Sequence, residues 1–197
     1  MSVGCSALEL ATDTNSYNYP GVTNGVTVLP DTYRTLAQHP NVVGCKMSHG
    51  NVSIHVQVST DPEIDHTNFR VYSGFGAQLG PIVVFDAAGV IDALAGIYPR
   101  TVSKLFKLAE KRPLDNDALR QLKELQYTVS AAEDYIGATG VIGIKEAITR
   151  VLGLGTYEGG RLPIKGKTPE GTWEKWDKKI LSRVQTLEDS ITEAEYR

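Results

Sequence analysis

Apolar residues in the first half of the chain fall in short runs rich in Val, Ile or Tyr, each closed by Gly, Pro or polar residues. Runs of this length and makeup predict strands, and the segments between them predict helices. A strand is expected over residues 16–19, stopped by Pro20, and Asp31 is expected to cap a helix running through Tyr33, Leu36 and Ala37 to His39. A second strand is read at residues 41–46 and a third at 69–73. Residues 74–80 then read as a loop, 81–87 as a short helix and 89–94 as a fourth strand. The order β-α-β-α predicts an α/β fold with a parallel sheet and helices on its outside.

From Pro99 the period changes to that of helices, with Val102, Leu105, Phe106 and Ala109 on one face. Three more helices are marked by Leu119 to Ala132, by Ile144 to Leu152 and by Trp173 to Ile191. The connector 153–171 contains Gly153-Leu154-Gly155 and Gly159-Gly160 but follows a helix, so helix capping and turning fit it better than a phosphate cradle. A complete (β/α)8 TIM barrel takes roughly 250 residues. The residues before Pro99 hold about four βα units, which is half a barrel. With the helical part at the C-terminus, the half present should be the C-terminal one. The expected division is an unmatched segment 1–15, a partial barrel 16–98 and a helical C-terminal region 99–197.

At 197 residues, 41% hydrophobic and 22% charged, the chain can bury a sizeable core. Its net charge of -3 comes from interspersed acids and bases, which argues against a nucleic-acid partner. Two cysteines, Cys5 and Cys45, do not make a disulfide framework, so a reducing compartment is expected. No targeting peptide and no apolar run of ~18 residues is visible, so no membrane association is expected. The expected location is the cytoplasm.

Lys46 closes the apolar run Val42-Val43-Gly44-Cys45. A lysine there would stand at the carboxyl edge of a parallel sheet, where barrel active sites are built. Aliphatic surroundings favour the neutral amine that attacks a ketone; the plainer reading is a lysine snorkelling into solvent. Tyr17 also ends its strand, and its separation from Lys46 matches one βαβ unit of ~30 residues. A phenol on the neighbouring strand could relay protons, although a rim tyrosine is the commoner role for any single Tyr.

Tyr17-Asn18-Tyr19-Pro20-Gly21, the run from His39 to Lys46, Ser73-Gly74, Ala88-Gly89-Val90-Ile91 and Tyr98-Pro99 together resemble the dihydrodipicolinate synthase and N-acetylneuraminate lyase superfamily of pyruvate-dependent class I aldolases. The resemblance covers residues 16–176. It implies a half TIM barrel with a helical extension, Lys46 as the Schiff-base lysine and Tyr17 as the proton-relay tyrosine. It further makes Gly89, Ile91 and Ser48 candidates for substrate binding, with a small 2-oxo acid as the substrate and no cofactor beyond the imine. Family members that make dihydrodipicolinate carry an arginine where this chain has Val22, so the resemblance points instead to fungal-type aldolases of 4-hydroxy-2-oxoglutarate or 2-keto-3-deoxy sugar acids. Full-length relatives of that type extend to mitochondria.

The family's Gly-Thr-Thr-Gly-Glu segment, which holds the pyruvate carboxylate, has no counterpart here, and the chain therefore looks N-terminally truncated. An alternative is thus an inactive family member serving as an interaction module. An open half barrel would also expose two sheet edges, which invites homo-oligomers. His39, His49, His55 and His66 lack metal-ligand spacing, His49 reading as a solvated loop residue. Lys145, a rival amine, reads as a solvated helix flank.

Overall fold

The computed structural model describes residues 13–196, so Cys5 and most of the segment 1–15 lie outside the described residues. Strands β1 (Thr14–Asn18), β2 (Val42–Met47), β3 (Arg70–Ser73) and β4 (Gly89–Val90) form one parallel sheet in sequential order. Helices α1 (Pro30–Leu36), α2 (Val52–Ser59) and α3 (Leu79–Val83) connect them. Sequential parallel order with helical crossovers is the topology of a barrel segment. Four βα units, half of a (β/α)8 barrel, are therefore present.

Side chains alternate along β2. Cys45 and Met47 face outward and are fully buried with Tyr33, Val58, Phe69 and Val71 in one core cluster, while Lys46 faces the other way. Helix α2 has no counterpart in the sequence reading because Val52, Ile54, Val56 and Val58 recur with the period of a strand. Asn51 decides it locally by accepting from the Ile54 N–H at 3.2 Å, and Ile54 and Val58 bury against β2 and β3.

Several boundaries are corrected. Asp31 is not the cap of α1; Leu29 is, and Asp31 lies in the first turn, bonded to Arg34 at 3.2 Å. The short helix begins two residues earlier, at Leu79, and β4 is only two residues long. It ends early because the Asp92 carboxylate accepts from the Ala95 N–H at 3.1 Å and starts a 3-10 turn at Leu94–Gly96.

The C-terminal part comprises α4 (Pro99–Glu110), α5 (Asn116–Leu152), α6 (Thr172–Trp176), α7 (Ser182–Ser190) and α8 (Glu193–Tyr196), with a π-helical turn at Asp177–Leu181 between α6 and α7. Two expected helices merge into α5, which kinks at Gly140, where φ is 59° and ψ is -153°. Its apolar face packs with Leu79, Ile82, Leu94, Ile97 and Tyr98 in a second cluster, so one core joins the last βα unit to the helical part. The Glu188 carboxylate fastens the junction by accepting from the N–H groups of Arg100 and Thr101 at 2.9 and 2.8 Å, at the start of α4.

The connector 153–171 is held by side chains of α5. Buried Glu146 accepts from the Thr168 N–H (2.8 Å) and hydroxyl (2.6 Å) and from Arg150 (2.9 Å). Lys145 is not a solvated flank: its ammonium donates to the Gly159 and Ile164 carbonyls. Among the described residues no helix is long and apolar enough to cross a membrane.

Candidate active site

The carboxyl edge of the sheet brings Tyr17, Lys46 and Ser48 together. Tyr17 is in register with Lys46, and Lys46 with Tyr72, so these three share one row on the face turned away from α1 and α2. Gly89 ends the row, in register with Tyr72. The Lys46 Nζ stands 4.7 Å from the centre of the Tyr17 ring. Ser48, one step further toward the edge, donates its hydroxyl to the Tyr17 Oη at 3.4 Å. Among the described residues Lys46 forms no salt bridge, unlike Lys104, Lys107, Lys111 and Lys179. Lys46 is half-buried and Tyr17 is 52% exposed, so both are open to a small molecule.

Buried Asn18 organises the strand exit beside Tyr17. Its side chain donates to the Val26 carbonyl at 2.8 Å and accepts from the Val28 N–H at 3.3 Å, while its own carbonyl accepts from the Ser48 N–H at 2.8 Å. One residue thus closes the loop after β1 and ties it to the end of β2. Val22 on that loop is 69% exposed.

Gly74 completes the wall. A Cβ built on it would stand 1.8 Å from the Ser48 Oγ, 2.8 Å from the Ser48 Cβ and 3.2 Å from the Lys46 Cε, so Lys46 and Ser48 lean across β3 only because position 74 has no side chain. Sequence reasoning placed Gly74 in a loop; the signal available was a glycine directly after a strand. Gly89 and Ile91 lie on the far side of β3 from Lys46, Ile91 half exposed with its N–H donating to the Ser73 carbonyl at 2.9 Å. The row also contains Tyr72, which sequence reasoning passed over.

Behind the edge, on the helix side, His49 is half-buried rather than solvated and packs on His55 at 5.2 Å. Burial pushes His55 down to about 4, with His49 adding to the effect, and burial also lowers His49. Both imidazoles are therefore neutral at pH 7. Among the described residues no group of three His, Cys, Asp or Glu side chains is placed to hold a metal ion.

The sequence profile of the Dihydrodipicolinate synthetase family matches residues 10–180. A 4-hydroxy-tetrahydrodipicolinate synthase of Methanospirillum hungatei is 33% identical over 168 residues, covering 85% of this chain and 54% of that protein. The L-threo-3-deoxy-hexylosonate aldolase of Hypocrea jecorina is 27% identical over 183 residues, covering 90% of this chain and 52% of that protein. The solved structure of the 4-hydroxy-tetrahydrodipicolinate synthase from Methylacidiphilum fumariolicum matches at a TM-score of 0.71 and 26% identity, covering 92% of this chain and 56% of that one. The chain thus spans about half the length of the curated relatives it matches.

Proposed function

The chain belongs to the dihydrodipicolinate synthetase family, and on that premise we propose that it carries the imine-forming half of a class I aldolase acting on 4-hydroxy-2-oxo acids. The observation that carries the reading is the register of Tyr17 on Lys46, which sets a phenol beside an amine that forms no salt bridge among the described residues, at the open edge of a parallel sheet.

The Lys46 amine attacks the C2 carbonyl carbon, and Tyr17 gives its proton to the carbinolamine hydroxyl, which departs as water and leaves an imine protonated on nitrogen. Tyr17, having given up its own proton, takes that of the C4 hydroxyl as the C3–C4 bond breaks. The electron pair of that bond passes into the imine, giving an enamine, and the aldehyde departs. Protonation at C3 and hydrolysis then return pyruvate and the free amine. The imine is itself the electron sink, so the reaction calls for no further cofactor. Ser48, bonded to the Tyr17 hydroxyl, and Gly89 and Ile91 across β3 bind the substrate. Val22, in place of the arginine expected in dihydrodipicolinate-forming members, favours 4-hydroxy-2-oxoglutarate or a 2-keto-3-deoxy sugar acid, and the similarity to the Hypocrea jecorina aldolase supports the second. The open edges of β1 and β4 favour a homo-oligomer.

Incubation with pyruvate and borohydride, followed by peptide mapping, tests the reading. A reduced pyruvyl adduct on the Lys46 peptide is expected, absent in Lys46→Met. Tyr17→Phe should keep the adduct while cleavage slows ~10²- to 10⁴-fold. An adduct on another lysine, or none, overturns it.

A further inference from the structure

The loop that walls this site is anchored by an acid pair that the aldolase chemistry does not use. Two residues beyond Gly74, Gly76 packs against α5, and a Cβ there would stand 2.3 Å from the Asp92 Oδ2 and 3.4 Å from the Glu133 Oε1. Both oxygens are buried, and neither has a hydrogen-bond donor. An ionised carboxylate only accepts, so two such oxygens side by side with no donor between them would each forfeit a hydrogen bond and repel. One proton between them satisfies both.

We infer that Asp92 and Glu133 share a single proton and act as a positioning pair, clamping the exit of β3 to α5 so that Gly74 keeps its place against Lys46 and Ser48. Asp92 is fixed on its own side, since its other oxygen accepts from the Ala95 N–H. The Gly76 backbone lies against both carboxyls, and Val129 closes the α5 side. Asp92 is the charge that acts on Glu133, and on α5 the neighbouring Asp134 is exposed and reaches Lys179 instead, at 3.9 Å. Burial raises both acids, and for Glu133 burial and then the Asp92 charge lift it to about 8, so the pair holds its proton at neutral pH. Because the folded value lies above the usual 4.5, the clamp is complete at low pH and is lost as pH rises through about 8.

The effect on Lys46 rests on the aldolase reading; the shared proton does not, and the two parts of the test separate them. The first part measures amide hydrogen exchange of residues 74–78 from pH 6 to 9. Protection in the native chain should fall, beyond the ordinary base catalysis of exchange, as pH passes about 8. Glu133→Gln, whose amide donates permanently to Asp92, should hold it. The second part follows pyruvate trapping at Lys46, where the Glu133→Gln to native ratio should rise about tenfold across that range, following the protonated fraction. Matching profiles for the two proteins in the exchange measurement overturn the pair. An unchanged ratio, with exchange as expected, overturns its positioning of Lys46. If neither protein traps pyruvate, the aldolase reading fails, and the exchange profiles still decide whether the proton is shared.

Discussion

Replacing Gly74 by alanine adds one methyl group at the closest approach in the site. That carbon would stand 1.8 Å from the Ser48 Oγ, which rotation about χ1 can relieve, but also 2.8 Å from the Ser48 Cβ, which only backbone movement relieves. The Lys46 Cε, at 3.2 Å, must give way by a few tenths of an ångström. Overpacking of this kind costs ~1–3 kcal/mol. In a chain of 197 residues each kilocalorie lowers the thermal midpoint by ~2–4 °C. Displacing the amine and breaking the Ser48 bond to Tyr17 should slow pyruvate trapping by ~10- to 100-fold, since misplacement of about 1 Å costs catalysis that much. The assay pairs thermal unfolding with borohydride trapping, with Gly137→Ala as the control. Gly137 lies inside α5 with nothing within 4 Å of a built Cβ, so alanine there should stabilise by ~0.5–1 kcal/mol and leave trapping unchanged. If Gly74→Ala traps pyruvate at the native rate with an unaltered midpoint, the close approach is not what sets the amine.

Two further outcomes follow from buried groups. His55 has a folded value lowered to about 4 from the usual 6.5, so the unfolded chain binds its proton first, and stability should fall by up to ~3 kcal/mol as pH drops through that window. Thermal unfolding from pH 7 to 4 should show a shallower slope in His55→Leu, and an identical slope would dismiss the assignment. Glu146→Ala strips the Thr168 N–H and Arg150 of a shared buried acceptor and should cost ~2–4 kcal/mol. The connector 153–171 should then be cut faster by a protease at native pH, whereas unchanged cleavage would show that Lys145 alone holds it.

Much of the architecture was legible because it depends on short-range pattern. Four apolar runs closed by Gly, Pro or polar residues became four strands, and the change of period at Pro99 became α4. Helix α2 escaped because its valines alternate as in a strand, and only burial against β2 and β3 overrides that preference. The kinked continuity of α5 escaped because Gly140 reads as a break, although the backbone turns there without ending the helical run. Lys145 looked like a surface residue because its partners, Gly159 and Ile164, sit on a connector whose path no periodicity describes.

The sequence by itself determined the strand order, the family and the pairing of an amine with a phenol one βα unit apart, because each depends on spacing along the chain. Only the tertiary structure decided that Gly74 makes room for Lys46 and Ser48, that Tyr72 shares their row, and that Asp92 meets Glu133 over Gly76. Those contacts join residues from separate elements, and their distances depend on how sheet and helices pack, which no local pattern of polar and apolar residues encodes.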